Sequence, residues 1–152
     1  MFFKKGRKEE KTEKKALLMR ENICVNCEPD TQEAVIRKVG QMLVNAGYVK
    51  QSYVGGMLER EKSFSTFMGN GLALPHGVEE AKKEVLSSGI AVLTFPKGTD
   101  WAGNKVNVVI GIAGVGEDHL DILAVIADKM LDETAAAKLA ASDADTIYQM
   151  FA

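Results

Sequence analysis

The chain has 152 residues, of which 46% are hydrophobic and 26% charged, a composition that fits one soluble globular domain. Its net charge of −2 is unevenly distributed, because residues 1–20 carry eight Lys and Arg against three Asp and Glu, which leaves the remainder acidic. An acidic body argues against nucleic acid as the main partner and suits a small basic protein. No apolar run is long enough to span a bilayer, so a cytoplasmic protein is the default expectation.

The start of the chain alternates acidic and basic side chains, without the apolar segment of a signal peptide. We interpret residues 1–20 as a charged N-terminal extension and residues 21–152 as the folded domain. Residues 22–27 are predicted to form a strand that contains Cys24 and Cys27. A C-x-x-C spacing alone indicates zinc or a redox pair, but positions three apart on a strand point to opposite faces. We therefore expect two separate packing thiols.

Two helical patterns follow. Asp30 and Glu33 form a capping-box pattern, apolar residues then recur at helical spacing, and Gly47 is expected to end the first helix. A second helix is predicted over residues 52–62, with Tyr53 and Met57 turned inward and charged residues in its last turn.

Strands and helices then alternate. Residues 72–74, 89–95 and 106–113 are predicted strands, the second ending at Pro96. A long helix is expected after an Asp118 cap, and two short ones over residues 134–139 and 145–151. The core side of the long helix is predicted to consist of Leu120, Ile122, Leu123, Val125, Ile126, Met130 and Leu131. This order predicts an α/β sandwich of one domain, with a mixed, mostly parallel sheet and helices on both faces.

One of only two histidines, His76, lies in the stretch GNGLALPHG. Four interpretations are open: a loop histidine without chemistry, a metal ligand with poor ligand spacing, a general base without a nucleophile elbow, and a nucleophile that becomes a covalent intermediate. The last fits the neighbours best. Pro75 stiffens the approach, Gly77 admits a bulky anion, and Gly69 and Gly71 can direct backbone N–H groups toward a phosphate.

Two further side chains could neutralise a transferring phosphoryl group. His119 follows a Gly-rich turn in the first turn of the long helix, where anions commonly bind. Arg60 lies at the end of the second helix. The alternatives are a polar residue at a helix terminus for His119, and a solvated charge paired with Glu59 or Glu61 for Arg60.

The residues MLEREK (57–62), GNGLALPHG (69–77) and EDHLDIL (117–123) resemble the mannitol/fructose class of enzyme IIA in the bacterial phosphoenolpyruvate-dependent sugar phosphotransferase system. The likeness extends from about residue 21 to 151. It implies a five-stranded mixed sheet and no metal or organic cofactor. It also implies that His76 takes a phosphoryl group on Nε2 from phospho-HPr and passes it to a cysteine of a IIB domain. The same resemblance places His119 and Arg60 beside His76 in the active site.

Within this class, Phe67-Met68, GYV (47–49) and GTDW (98–101) resemble mannitol members. The resemblance thus implies a phosphotransferase in mannitol uptake that reaches the membrane indirectly, through a IIBC permease. A fructose-type or nitrogen-regulatory IIA module, which controls other proteins by its phosphorylation state, is the alternative. A zinc or thiol-redox protein that uses Cys24 and Cys27 is the third interpretation.

Overall fold

The computed structural model describes residues 15–152, in which helices cover both faces of a central sheet. The strands are β1 (Ile23–Cys24), β2 (Phe67–Gly69), β3 (Leu72–Ala73), β4 (Gly89–Trp101) and β5 (Asn104–Ala113). The helices are α1 (Gln32–Asn45), α2 (Ser52–Ser63), α3 (Asp118–Lys129), α4 (Ala135–Ala140) and α5 (Ala144–Phe151), and short 3₁₀ segments span Arg20–Asn22 and Glu79–Glu84.

The five described strands form one sheet in the order β1-β4-β5-β3-β2. β1 is parallel to β4 and β3 is parallel to β5, whereas β4 and β5 are antiparallel, as are β2 and β3. The α/β class and the five-stranded mixed sheet are therefore confirmed. A mostly parallel sheet was expected, but among these strands the two kinds of pairing are equal in number. Both antiparallel pairs are hairpins, joined by turns too short for a crossover.

Strands β4 and β5 have side chains in two separate hydrophobic cores. Ala91, Leu93 and Phe95 pack in the core with residues of α1 and α2, whereas Ile90 and Val92 pack in the core with residues of α3, α4 and α5. This alternation follows from the two-residue period of a strand, and it explains why both strands are apolar along most of their length.

The sequence predicted that the folded domain starts at residue 21, but in the structure the packed residues start earlier. Leu18 is buried in the core beside α3, α4 and α5, and the carbonyl of Leu17 accepts a hydrogen bond from the backbone of Ile90 at 2.9 Å. These contacts make the last residues of the predicted extension part of the fold. Residues 1–14 of that extension lie outside the described residues.

Two element boundaries differ from the prediction. Thr31, not Asp30, caps α1, because its hydroxyl accepts from the backbone of Ala34 at 3.1 Å, while the Asp30 carboxylate accepts from Thr31. Strand β4 does not end at Pro96 but continues to Trp101, with a shift in register between Thr94 and Thr99. An irregularity of this kind accommodates a proline, which cannot donate to the ladder.

Helix α3 buries a narrower stripe than predicted. Ile122 and Ile126 lie in the core, whereas Leu120, Val125 and Leu131 are 55%, 40% and 80% exposed. The prediction that all of them face the core is therefore wrong. Of the helices in residues 15–152, none combines the length and hydropathy that a membrane crossing requires.

The expectation that Cys24 and Cys27 point to opposite faces of a strand is also wrong. β1 contains only two residues and ends at Cys24, and Asn26 then turns the chain with a φ of 57°. Because the strand does not reach Cys27, the period of two no longer applies, and the two Sγ atoms lie 3.5 Å apart.

Candidate active site

His76 lies where the parallel strands β3 and β5 reach their carboxyl ends. The chain leaves β3, and the backbone of Ile112 in β5 donates to the carbonyl of Pro75 at 3.0 Å, next to an isolated bridge between His76 and Ile112. The carboxyl ends of parallel strands are the common ligand-binding edge of an α/β sheet. The position of His76 in the fold therefore suits a group that meets another molecule.

The ring of His76 is held in one tautomer. Its Nδ1 lies 2.8 Å from the carbonyl oxygen of Leu74, and since a carbonyl can only accept, Nδ1 carries the proton. Nε2 is then the nitrogen with a free electron pair in the neutral ring. Burial lowers the pKa of His76 from its usual 6.5, and the nearby charge of Arg60 and His119 acts in the same direction, against the Leu74 hydrogen bond. The neutral, nucleophilic form is thus favoured at neutral pH.

Tyr53 of α2 clamps the backbone on both sides of this histidine. Its hydroxyl donates to the carbonyl of Ile112 at 2.8 Å and accepts from the backbone of Gly77 at 2.9 Å. Burial raises the pKa of Tyr53 to about 12, so the hydroxyl stays protonated and able to donate. A Cβ at Gly77 would lie 2.6 Å from the Tyr53 ring, which explains the glycine at this position.

Arg60 reaches the site from the last turn of α2. Its guanidinium donates to the carbonyl of Phe64 and lies 5.6 Å from the centre of the Phe64 ring. Within the described part of the chain, no ion pair joins it to Glu59 or Glu61, the alternative that the sequence left open. The charge of Arg60 therefore has no carboxylate partner there to neutralise it.

Glu61, the neighbour of Arg60, fixes the end of α2 instead. Its carboxylate accepts from the indole N–H of Trp101 at 2.9 Å and from both the backbone and the hydroxyl of Thr66 at 2.9 and 2.6 Å. The amide of Gln32 at the start of α1 donates to the same carboxylate at 3.1 Å. Because these donors come from α1, from β4 and from the loop before β2, Glu61 restricts how the last turn of α2 can move.

His119 is the second residue of α3. Its Nδ1 is buried and has no hydrogen-bond partner among residues 15–152. Gly114, the residue after β5, lets the backbone of His119 pack close to it, because a Cβ at Gly114 would lie 2.4 Å from the backbone nitrogen of His119. A donor or acceptor on a bound group would complete the hydrogen bonding of this imidazole.

A cavity of about 240 Å³ brings the three predicted site residues together: His76, His119 and Arg60 all line it. Lys82 lines the same cavity, with its ammonium 3.2 Å from the Glu79 carboxylate. The cavity thus combines a nucleophilic imidazole, a second imidazole, two cationic side chains and the Glu79 carboxylate. Because the cations outnumber the carboxylate, this arrangement suits a group that carries negative charge.

The residues that line the cavity differ from those that the sequence predicted in two respects. Gly69 and Gly71 do not line the cavity; with φ values of 88° and 82° they form the tight turn between β2 and β3. Tyr53 and Lys82 do line it, although the sequence gave no site role to either. The inward position of Tyr53 could be read from the helical period, but its two hydrogen bonds depend on tertiary packing.

The described residues contain no cluster of three or more His, Cys, Asp or Glu side chains that could hold a metal ion. The side chains that line the cavity supply imidazole, guanidinium, ammonium, phenol and carboxylate groups. These groups can accept, hold and release an anionic electrophile without changing oxidation state.

Comparison with known proteins identifies the family. Residues 16–152 match the family model described as "Phosphoenolpyruvate-dependent sugar phosphotransferase system, EIIA 2". The chain belongs to this family. The resemblance drawn from the sequence is thereby confirmed, and this EIIA 2 protein is a component of the sugar phosphotransferase system.

Named relatives of this EIIA 2 chain cover most of its length. The mannitol-specific phosphotransferase enzyme IIA component of Staphylococcus aureus (strain Mu50) is 43% identical over 136 residues, or 89% of this chain and 94% of the relative. The crystal structure of IIA mannitol from Escherichia coli is 34% identical, with a TM-score of 0.81 over 89% of this chain and 99% of that one. An Escherichia coli complex of enzyme IIAMTL with phosphorylated enzyme IIBMTL is 33% identical, with a TM-score of 0.81 over 88% and 96% of the two chains.

Proposed function

We propose that this EIIA 2 protein carries a phosphoryl group on Nε2 of His76, accepting it from phospho-HPr and passing it to a cysteine of a mannitol IIB domain. The observation that carries the proposal is the hydrogen bond between Nδ1 of His76 and the Leu74 carbonyl, which leaves Nε2 as the free nucleophile beside a cationic cavity. The mannitol-specific names of the relatives support the choice of sugar.

The chemistry is an in-line displacement at phosphorus. The Nε2 electron pair forms a new N–P bond while the bond to the donor histidine breaks, and that bond's electrons return to the donor ring. Arg60, Lys82 and His119 neutralise the phosphoryl oxygens during the transfer. The ring becomes cationic when Nε2 is phosphorylated. The hydrogen bond from Nδ1–H to the Leu74 carbonyl stabilises this positive charge. Transfer to the IIB cysteine reverses these steps with sulfur as the nucleophile.

The surface around the cavity suits partners that bind briefly. Phe64, Leu86, Val115 and Leu120 are apolar and 72%, 57%, 46% and 55% exposed, and each is within a few residues in sequence of a cavity residue. A small apolar surface allows one partner to leave before the next one binds. The acidic charge of residues 21–152 favours encounter with a basic HPr. Supply of the donor from phosphoenolpyruvate supports a cytoplasmic location for the protein.

The test is phosphorylation with phosphoenolpyruvate, enzyme I and HPr, followed by intact-protein mass spectrometry. Wild type should gain one acid-labile phosphoryl group. His76→Gln should gain none while its circular dichroism stays unchanged, and His119→Ala should gain the group more slowly. Since the chain has only two histidines, these variants form a matched pair. An acid-labile phosphate on His76→Gln would refute the assignment, and wild-type rates in His119→Ala would remove that residue from the site.

The sugar is tested separately, by adding membranes with a mannitol or a fructose IIBC permease to the phosphorylated protein. Phosphoryl loss should be fast with the mannitol permease and depend on mannitol. Transfer only to the fructose permease, or to neither, would contradict the mannitol assignment and leave a fructose-type or regulatory role.

A further inference from the structure

The pair of cysteines at the end of β1 has no part in phosphoryl transfer. The Sγ atoms of Cys24 and Cys27 lie 3.5 Å apart, close to van der Waals contact, and Cys27 Sγ is also 3.5 Å from the carbonyl oxygen of Cys24. A disulfide needs an S–S distance of about 2.0 Å, so closing the bond requires an approach of about 1.5 Å. Side-chain torsions can supply a movement of this size without a rearrangement of the sheet.

The turn that brings the thiols together is anchored to the sheet. Asn26, with its φ of 57°, directs its N–H to the hydroxyl of Thr94 at 3.1 Å, and the N–H of Cys27 donates to the carbonyl of the same residue at 2.8 Å. The proximity of the two sulfurs is thus a feature of the folded backbone.

We propose that Cys24 and Cys27 form a reversible intramolecular disulfide, with a small organic disulfide such as oxidised glutathione as the oxidant. The two thiols differ in accessibility, since Cys24 is half-buried and Cys27 is only 8% exposed. Cys24 is therefore the thiol that meets the oxidant, and Cys27 is the one that resolves the mixed disulfide.

The steps balance as two successive thiol–disulfide exchanges. The thiolate of Cys24 attacks one sulfur of the oxidant, forms a mixed disulfide and releases one thiolate. Cys27 then loses its proton to solvent, its sulfur attacks Cys24 Sγ, and the second thiolate leaves. Two protein thiols are oxidised, one organic disulfide is reduced to two thiols, and the released thiolates take up the two protons.

Lys38 of α1 places a positive charge beside Cys27, the thiol that reacts in the second exchange. Its ammonium lies 3.8 Å from Cys27 Sγ, where it stabilises the thiolate that forms during closure. This matters because burial, together with the neighbouring Cys24, raises the pKa of Cys27 to about 11, which makes its thiolate scarce at neutral pH. Closure is therefore the slower exchange, and Lys38 assists it.

A metal ion fits this pair less well. A structural zinc site takes four ligands, and residues 15–152 hold no third His, Cys, Asp or Glu grouped with these thiols. The pair also lies away from the phosphoryl cavity: Cys24 is opposite Leu93 of β4, whereas the site edge is near Ile90, the partner of Ile112. Oxidation can thus be measured independently of phosphorylation.

The test incubates the folded, full-length protein with oxidised glutathione, quenches with acid, alkylates free thiols and measures intact mass. Wild type should lose two hydrogens, resist alkylation at both cysteines, and regain both thiols with dithiothreitol. Cys27→Ser should instead retain one glutathione on Cys24, and Cys24→Ser should react more slowly because Cys27 is buried. Free thiols, stable glutathione adducts or cross-linked dimers in wild type would each overturn the proposal.

The role of Lys38 is tested by the lifetime of the mixed disulfide. In Lys38→Met it should persist several-fold longer than in wild type, whereas Lys50→Met, which removes an exposed lysine elsewhere, should close at the wild-type rate. Equal lifetimes in wild type and Lys38→Met would show that the ammonium has no part in closure.

Discussion

Replacing Tyr53 by phenylalanine removes one oxygen atom and two hydrogen bonds, one buried and one partly buried. The N–H of Gly77 and the carbonyl of Ile112 then lose their partner in a site where Tyr53 is 4% exposed. A buried polar group left unpaired costs about 1–3 kcal/mol, and the N–H of Gly77 costs less than the carbonyl of Ile112 because it is only partly buried. The free energy of unfolding should therefore fall by about 2–4 kcal/mol. At about 2–4 °C per kcal/mol for a domain of this size, Tm should drop by about 4–16 °C.

The matched control is Tyr148→Phe, the same chemical change in a half-buried residue of α5 whose ring lies under the Arg20 guanidinium. It should alter stability by no more than about 0.5 kcal/mol. Calorimetry or urea unfolding of the two variants measures the difference. Phosphoryl acceptance by Tyr53→Phe should also slow, because the backbone next to His76 is no longer held. Equal stabilities of the two variants would refute the idea that this hydroxyl clamps the site.

Three further predictions concern the same site. Because burial lowers the pKa of His76 below its usual 6.5, the native state binds the proton more weakly than the unfolded chain. The free energy of unfolding should therefore fall as pH drops below about 6.5, which urea unfolding at several pH values measures. The rate of phosphoryl acceptance should reach half its maximum below the same pH, as a pH–rate profile would show. Gly114→Ala should lower stability by about 1–3 kcal/mol and slow phosphorylation, since the new Cβ meets the backbone of His119; Gly55→Ala, in open space on α2, should be neutral or slightly stabilising in the same unfolding assay. Glu61→Ala should cost about 2–4 kcal/mol in urea unfolding and change the fluorescence of the chain's single tryptophan, whose indole N–H loses its acceptor; an unchanged spectrum would contradict that contact.

The parts of the fold that the sequence predicts well are those governed by local patterns. Helix α2, predicted over residues 52–62, spans Ser52–Ser63, and strand β5 begins only two residues earlier than expected. Periodicity decides these cases because each element buries a face or stripe that the sequence displays directly.

The errors arise where tertiary contacts override a local rule. Pro96 is tolerated inside β4 because the register shifts around it, and the cysteines converge because β1 ends at Cys24 and Asn26 then turns the chain. The exposed apolar residues of α3 fit the helical period but have no core opposite them, which no pattern within the helix reveals. Each error therefore concerns what lies beside a segment, not the segment's own propensity.

The same distinction applies to the active site. His76 stands out in the sequence because of its proline and glycine neighbours, and the family resemblance adds Arg60 and His119, which the fold brings into one cavity. Tyr53 and Glu61 could not be assigned, since their importance lies in hydrogen bonds to residues far along the chain. Side chains that support a site are harder to find than those that react.

The anchoring of the His76 ring through Nδ1 has a consequence for the order of events. Under the proposed function, an imidazole that cannot turn over offers one nitrogen only, so the phosphoryl donor and the phosphoryl acceptor must approach the same side of the ring. The two cannot be bound at once, and no ternary assembly forms. The phosphorylated protein is then a free, diffusing species with its own lifetime, and the ratio of donor to acceptor concentrations sets how much of it accumulates.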